Sequence, residues 1–295
     1  ALLPFALLLA LPSCGADRAP LPLDPVAGDP SDQPAGGATE SAKILASPMH
    51  APRSEHAAVA LLDGRVLVSG GATDGGGLSS AELFDPQTLA WTATPSPSSG
   101  HARHTATLLT DGRVLIVGGL SPVNAVNVEI YTPKTGQWTL APAMPGARAE
   151  HSATRLDSGL VLVAGGSDGK VQLFSSLRFD PQENQWLEAG SLHVPRRSHT
   201  ATSLPGGGVL LVGGASPLDA PNVFPPEKGI AERFDPAKNS WTLTSPGLAF
   251  RSAHTATLLA DGRVLVAGGI DAASVNIGSI IPLSSADLYD PLTDS

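Results

Sequence analysis

The sequence predicts an all-β propeller of four-stranded antiparallel blades, because its landmarks repeat at a nearly constant interval. Gly-Gly ends an apolar run five times, at steps of 48, 47, 48 and 55 residues, with first glycines Gly70, Gly118, Gly165, Gly213 and Gly268. Histidines repeat at the same steps, at His56, His104, His151, His199 and His254. A tryptophan lies 13 residues before each of the last four histidines, and a proline lies five residues before each tryptophan. Landmarks that keep one register indicate stacked supersecondary units.

Each unit has the pattern of four short strands. In the second unit the candidate strands are residues 104–109, 114–117, 128–131 and a segment that begins at Trp138. The continuous apolar run at 114–117 is typical of a strand buried on both faces. Asp111-Gly112 predicts a type I′ turn between the first two strands, and Gly118-Gly119 predicts a bulge or a close approach of another backbone. A lone blade of this kind cannot bury both faces, so the blades must stack around an axis.

Composition narrows the classes of function. The chain of 295 residues has 32 Gly and 27 Pro, which favours turns over long helices. Its 18 basic and 27 acidic residues give a net charge of −9, a poor match for nucleic-acid binding, which needs a basic surface. One cysteine excludes an intramolecular disulfide framework and a Cys-rich zinc module. No apolar stretch reaches the roughly 20 residues that span a bilayer.

The first residues predict export and a lipid anchor. Residues 1–13 have the length of a signal-peptide core and lack the basic region and initiator Met, so we expect a signal peptide cut at its start. Leu11-Pro12-Ser13-Cys14 resembles a bacterial lipobox, which implies cleavage before Cys14 and lipid on its sulfur. The alternative is a plain signal peptide with an incidental cysteine. Gly15 in place of Asp disfavours retention at the inner membrane, so we expect the outer membrane or cell surface of a bacterial envelope.

The chain then divides into a tether and a propeller. Residues 15–42 are rich in Pro, Gly, Ala and Asp, and they hold too few large apolar side chains to offset the entropy of ordering. We therefore expect 14–42 to be a lipidated cysteine with a disordered tether, and 43–295 to be the propeller.

The repeated motif resembles a known family. Over about residues 43–295, the repeated motif is similar to the kelch repeat: it runs Arg-x-x-His, an apolar strand, Gly-Gly, Glu-x-Tyr/Phe-Asp-Pro and then Trp. The resemblance implies a propeller whose blades usually number six or seven, and members include adaptor-type binding modules, the propeller of galactose oxidase and a sialic-acid mutarotase. The copper chemistry of galactose oxidase requires a Tyr–Cys link that this chain does not offer, since its tyrosines, Tyr131 and Tyr289, stand at repeat positions.

Two alternatives describe how the ring closes around the five visible repeats. Residues 43–50 align with the end of a fourth strand that has no blade of its own, and could complete the last blade. Alternatively, the sequence is truncated and one or two blades are missing, which we favour because the last strand stops within its motif.

Candidate binding residues gather on one face. In an up-and-down blade the loops after the second and fourth strands lie on the same face of the propeller, which we call the first face. Variable loops on a rigid scaffold often form binding sites. Two long loops, 215–230 and 270–285, offer Asn222, Phe224, Glu227, Lys228, Asp271 and Asn276. The inner ends of the blades offer a ring that could hold an anion: Arg53, His101, Arg148, Arg196 and Arg251. The alternative is structural, because the third-strand residues Glu82, Glu129, Glu232 and Asp287 could neutralise that ring.

The sequence therefore predicts a lipid-anchored envelope module that recognises a protein or an extracellular glycan through the first face. The sequence assigns no catalytic residues, metal or cofactor. We expect the protein to contact the membrane only through the lipid anchor and to bind no nucleic acid. The alternative function is a carbohydrate-active enzyme, either sugar-oxidase-like or mutarotase-like.

Overall fold

The structure is a computed structural model that describes residues 46–74, 76–120, 126–215, 231–244, 250–271 and 280–294. The predicted signal peptide, Cys14 and the tether lie outside these residues. All regular elements of the described residues are strands, and they form five blades in a propeller arrangement, which confirms the predicted fold class. Within the same residues, no helix has the length and apolarity needed to cross a membrane.

The blades are antiparallel meanders that follow one another along the chain. Blade 1 contains β1 (Ala57–Ala60), β2 (Val66–Ser69), β5 (Ala81–Asp85) and β6 (Ala90–Ala93). Blade 2 contains β7 (Thr105–Leu108), β8 (Val114–Val117), β9 (Val128–Thr132) and β10 (Gln137–Leu140). Blade 3 contains β11 (Ser152–Arg155), β12 (Val161–Ala164), β13 (Ser175–Asp180) and β14 (Gln185–Ser191). Blade 4 contains β15 (Thr200–Ser203), β16 (Val209–Val212), β17 (Ala231–Asp235) and β18 (Ser240–Leu243).

Blade 5 has three described strands, β20 (Thr255–Leu258), β21 (Val264–Ala267) and β23 (Ala286–Tyr289). Two short ribbons lie on the first face. One pairs β3 (Ala72–Thr73) with β4 (Gly76–Gly77), and the other pairs β19 (Arg251–Ser252) with β22 (Ile270–Asp271).

The core lies between successive blades. Leu115 and Val117 of β8 pack against Val161 and Val163 of β12, and all four are fully buried. Burying such a side chain stabilises the fold by about 1.5–3 kcal/mol. In the first four blades the repeat tryptophan lies against the Phe or Tyr of the third strand, with ring centroids 4.9–5.1 Å apart. The periodic apolar runs and tryptophans are thus the stacking surfaces of the blades.

In the first four Gly-Gly pairs, neighbouring backbone leaves no room for a side chain, as the sequence predicted. Gly165 and Gly166 have φ values of 60° and 96°. A Cβ on Gly165 would lie 2.7 Å from the carbonyl oxygen of Arg196 in the next segment, and one on Gly166 would lie 2.6 Å from that of Ala149. Both the backbone conformation and the contact require glycine.

The predicted type I′ turn is wrong. In the Asp111-Gly112 loop only the glycine has a positive φ, 84°, whereas a type I′ turn needs two such residues. The amide of Leu109 donates to the Arg113 carbonyl and the amide of Gly112 to the Leu109 carbonyl. The connection is therefore a three-residue loop ending in a left-handed glycine, and the Asp111 carboxylate caps it by accepting the Arg113 amide at 3.0 Å.

The Asp-Pro turns of the opposite, second face have the structural role that the sequence predicted. In each, the aspartate carboxylate accepts the amide two residues further on, at 2.8–2.9 Å, in the turns of Asp85, Asp180, Asp235 and Asp290. This is the local hydrogen bond that makes Asp a turn residue.

The two ends of the blade array differ from its middle. Residues 46–50 are not a strand and lie along blade 1, where Ser47 donates its amide to the Leu89 carbonyl at 3.0 Å. Residues 43–45 lie outside the described residues, so their role in closing the ring stays a prediction. On blade 5 the face that points away from blade 4 carries three half-exposed leucines, Leu258, Leu265 and Leu288.

Candidate functional site

The predicted arginine ring lies at the inner end of the first face and is buried. Each guanidinium donates to the carbonyl of the first glycine in its own Gly-Gly pair, at 2.6–3.0 Å, in the pairs Arg53–Gly70, Arg148–Gly165, Arg196–Gly213 and Arg251–Gly268. In blade 2 the His101 ring replaces the guanidinium and lies 2.7 Å from the Gly118 oxygen. The ring thus supports the tight Gly-Gly corner of each blade.

The third-strand carboxylates pair with this ring. The pairs are Arg53–Glu82 at 2.7 Å, His101–Glu129 at 3.1 Å, Arg196–Glu232 at 2.8 Å and Arg251–Asp287 at 2.6 Å. These are the contacts that the structural alternative predicts. A ligand-binding role for these arginines and for His101 stays a prediction.

The same carboxylates also hold the linkers that enter each blade. Glu82 accepts the amides of His50 and Ala51 at 2.8 and 3.3 Å, and Glu232 accepts those of His193 and Val194 at 2.7 and 3.2 Å. Burial raises the pKa of Glu82, but these amides and the neighbouring cations outweigh it, so the pKa lies below its ordinary value. One carboxylate therefore joins the linker, the ring and the third strand.

Blade 3 departs from this arrangement at two positions at once. Leu177 replaces the third-strand carboxylate, and Pro145, which has no amide hydrogen, stands where His50 and His193 donate theirs. Within the described residues, the Arg148 guanidinium donates to the Gly165 carbonyl and to the carbonyl and hydroxyl oxygens of Ser175. Burial lowers the pKa of Arg148 to about 10.

The repeat histidines fasten each blade to the one before. Four of them place Nε2 at 2.8–3.0 Å from a hydroxyl of the preceding blade, in the pairs His104–Ser69, His151–Thr105, His199–Ser152 and His254–Thr200. Their Nδ1 atoms are buried without a hydrogen-bond partner in the described residues. Burial, followed by nearby cationic side chains, lowers the pKa of His104 and His199 to about 3 and that of His254 to about 4. These rings are neutral at physiological pH.

A second ring, which we call the belt, consists of the residue immediately before each repeat histidine. Its members are non-glycine residues with φ values of 52–57°: Glu55, Arg103, Glu150, Ser198 and Ala253. From Arg103 onward, the amide of each belt residue donates to the carbonyl of the belt residue in the preceding blade, at 3.0–3.4 Å. The belt is therefore a chain of backbone hydrogen bonds that crosses every boundary between the described blades.

The belt side chains vary from blade to blade, unlike the arginine and histidine rings. Arg103 donates to Glu55 at 2.6 Å and to Glu150 at 2.7 Å. Glu150 also accepts from Arg197 at 2.8 Å and from the Ser198 hydroxyl at 2.6 Å. Hydrogen bonding to Glu55 is the largest influence that raises the pKa of Arg103. Acidic and basic side chains thus alternate across the boundaries of blades 1 to 4. The belt residue of blade 5, Ala253, carries no charge.

The sequence analysis missed most of the belt. The repeat pattern did not single out Glu55, Glu150 or Arg197. One signal was present, because the residue before the first three repeat histidines alternates in charge, as Glu55, Arg103 and Glu150.

Outside the belt, the first face carries an ordered hairpin in blade 3. The Asp168 carboxylate accepts the amides of Lys170 and Val171 at 2.8 Å, and the Ser167 hydroxyl donates to the Val171 carbonyl at 2.9 Å. The hairpin exposes 54% of Val171 and 56% of Phe174. A loop held by its own hydrogen bonds presents these apolar side chains with little entropy left to lose on binding.

The long loops hold the remaining predicted residues. Asp271 lies in β22, where its amide donates to the Ile281 carbonyl at 2.9 Å, and Ile280 and Ile281 beside it are about half exposed. Five predicted positions lie outside the described residues: Asn222, Phe224, Glu227, Lys228 and Asn276. The described part of the chain holds no cluster of three His, Cys, Asp or Glu side chains suited to a metal ion.

Comparison with known proteins agrees with this architecture. The family model described as the KLHDC2/KLHL20/DRC7 Kelch-repeats domain matches residues 39–214, which is more than half of the chain. The chain is also similar to an F-box/kelch-repeat protein of Arabidopsis thaliana, with 43% identity over 63 residues. That alignment covers 21% of this chain and only 12% of the relative.

The repeat register, the five stacked blades and the family match define a propeller of the kelch class. The protein belongs to the kelch-repeat family, and this membership supports a protein-interaction module in general.

Proposed function

We propose that this protein is a lipid-anchored binding module of the bacterial cell envelope, whose propeller recognises a protein or an extracellular glycan on its first face. The belt is the observation that carries the proposal. Everything around it repeats from blade to blade, whereas its side chains and those of the adjoining loops do not. Residues that repeat in every blade build the scaffold, whereas a surface that recognises a particular partner needs side chains that differ between blades.

The surroundings of the belt favour recognition over catalysis. The belt charges are paired with one another, and the nearby exposed side chains are apolar, with Val171 and Phe174 in blade 3 and Ile280 and Ile281 in blade 5. Rigid aromatic and aliphatic side chains around a polar centre are typical of interaction surfaces.

Binding is tested with a pair of matched surface variants. Val171→Ser with Phe174→Ser removes the apolar side chains of the first face, and Leu62→Ser removes one from the second face, where Leu62 is 72% exposed. Envelope proteins and an extracellular glycan array are the two sets of probes. We expect the double variant to weaken the strongest interaction at least about tenfold, and the Leu62 variant to leave it unchanged.

Removal of residues 216–229 tests the longest first-face loop in the same assay. If the double variant and this deletion both bind every probe as the unaltered protein does, the first face is not the binding surface. Turnover of a sugar on a carbohydrate panel would instead support an enzyme.

The anchor is tested separately, because it rests on Leu11-Pro12-Ser13-Cys14 alone. The protein with residues 1–42 is expressed in a bacterium that is fed an alkyne-labelled fatty acid. We expect label on the protein, and loss of both label and membrane association in Cys14→Ser. An unlabelled, soluble protein would refute the anchor and leave the binding proposal standing.

A further inference from the structure

His101 is the one member of the arginine and histidine ring whose side chain has both a charged and a neutral form. Its ring is buried between two acceptors, with Nδ1 at 2.7 Å from the Gly118 carbonyl oxygen and Nε2 at 3.1 Å from Oε1 of Glu129. The Ser99 hydroxyl lies 3.2 Å from Nε2. A guanidinium makes the corresponding contacts in blades 1, 4 and 5, with a charge that does not titrate.

The two acceptors require two ring hydrogens. A carbonyl oxygen cannot donate, and neither can an ionised carboxylate. Burial raises the pKa of Glu129, but hydrogen bonds from His101 and from the Ser98 amide outweigh it, and the pKa lies below its ordinary value. Glu129 is therefore ionised, and only the imidazolium form of His101 satisfies both partners.

We propose that His101 is a pH-sensitive latch, in which the protonated ring clamps the first-face loop of blade 1 onto blade 2 and the neutral ring releases it. The main chain of His101 belongs to the clamp as well. Its amide donates to the Leu78 carbonyl at 3.1 Å, and its carbonyl accepts the Gly71 amide at 2.7 Å. Leu78 and Gly71 flank the β3–β4 ribbon, so the residue contacts blade 1 through its backbone and blade 2 through its ring.

Loss of the proton changes the hydrogen bonds in a definite way. If Nδ1 keeps its hydrogen for Gly118, the Nε2 lone pair faces the Glu129 carboxylate, and the two repel. The Ser99 hydroxyl, which lies 3.4 Å from Oε1 of Glu129, can then turn to Nε2. Glu129 loses one or two donors and keeps the Ser98 amide at 2.9 Å.

The other charged and titratable groups near His101 do not supply a competing switch. The His104 ring, with its centroid 5.5 Å away, has a pKa of about 3 because of burial and stays neutral, and burial also lowers the pKa of His56. The side chain of Arg103 is engaged by Glu55 and Glu150. Among these side chains, the His101 ring is the one whose protonation state changes the hydrogen bonds of the clamp.

Hydrogen exchange of the full chain tests the latch without any ligand, so the result does not depend on the proposed function. Protection of residues 76–78 and 98–103, corrected for intrinsic exchange, is compared at about pH 6 and about pH 8.5. A hydrogen bond to a charged group stabilises by about 1.5–3 kcal/mol, so we expect protection to fall at least about tenfold at the higher pH. Protection of the blade 3 linker at Arg148 should not change, because residues 141–148 contain no histidine.

Two variants separate titration from packing. His101→Arg restores the residue of the other blades and should make protection independent of pH. His101→Gln keeps a neutral side chain and should give low protection at both pH values. Equal pH dependence in His101→Arg and the unaltered protein would overturn the proposal. So would nitrogen chemical shifts showing a neutral His101 ring at about pH 6.

Discussion

Mild acid should unfold this propeller, because its repeat histidines are buried in neutral form between the blades. Four of them, His104, His151, His199 and His254, lie with Cε1 against a Gly-Gly corner and have an Nδ1 without a partner in the described residues, so a second proton would bring a buried charge without a hydrogen-bond acceptor. The folded-state pKa values of His104 and His199 are about 3 and that of His254 is about 4, well below about 6.5 in an unfolded chain.

These lowered pKa values fix the direction in which the free energy of unfolding changes with pH. The unfolded state binds protons first as the pH falls, so the stabilisation is fully present above about pH 6.5 and is lost below it. Between pH 7 and pH 5 each histidine should cost about 2 kcal/mol, and the three together about 6 kcal/mol. His151, whose pKa also lies well below its ordinary value because of burial, acts in the same direction. Since a domain is stable by about 5–15 kcal/mol, the loss brings it close to unfolding near pH 5.

Urea unfolding at pH 7, 6 and 5 measures this loss. The tryptophan that stacks on each third strand provides the fluorescence signal. His151→Gln serves as the matched variant, because an amide can bond the Thr105 hydroxyl, 2.9 Å from Nε2, without titrating. The variant should lose about 2 kcal/mol less than the unaltered protein between pH 7 and pH 5.

Two results would refute the reasoning. A free energy of unfolding that stays constant from pH 7 to pH 5 would mean that the histidines are hydrated or paired in the folded state. An equal loss in His151→Gln would assign the acid sensitivity to the carboxylates.

Two further predictions concern the corners and the arginine ring. Gly118→Ala should lower the free energy of unfolding by about 3 kcal/mol, because the new Cβ would clash with the Arg148 carbonyl and φ is 64°. Gly136→Ala should lower it by only about 1 kcal/mol, because Gly136 has a φ of 70° but open space around it. The midpoints of urea unfolding compare the two variants. Arg196→Met should lower the free energy of unfolding by about 3–5 kcal/mol, because it takes the guanidinium away from the buried Glu232 carboxylate. Arg148→Met should cost about 2 kcal/mol less, since Arg148 has no carboxylate partner of this kind among the described residues. Equal losses would mean that the ion pair adds nothing.

The repeated part of the molecule could be predicted from the sequence because it is fixed by local requirements. The apolar run at 114–117 coincides with β8, and Gly165 needs both its backbone conformation and its missing side chain. The pairing of Arg196 with Glu232 followed from two repeated positions at the same end of adjacent strands. Such features recur in each blade, so the register reveals them.

Features that depend on the exact path of the chain could not be predicted. The Asp111-Gly112 dipeptide suits either a two-residue or a three-residue hairpin loop, and only the pairing of Leu109 with Arg113 decides between them. The belt contacts join residues about 47 positions apart, such as Arg103 and Glu150, and no local pattern indicates them. Cys14 and the predicted residues of 216–229 lie outside the described residues.

The backbone conformation of the belt indicates that its side chains have a role besides stabilising the fold. A non-glycine residue at a φ near 55° costs about 1–2 kcal/mol, and glycine avoids that cost. The Gly-Gly corners use glycine for their left-handed residues, whereas Glu55, Arg103 and Glu150 keep long charged side chains in that conformation. Their ion pairs are partly exposed and return only a part of that cost. The scaffold would be served by glycine at these positions, which supports the proposal that the first face binds a partner through the belt.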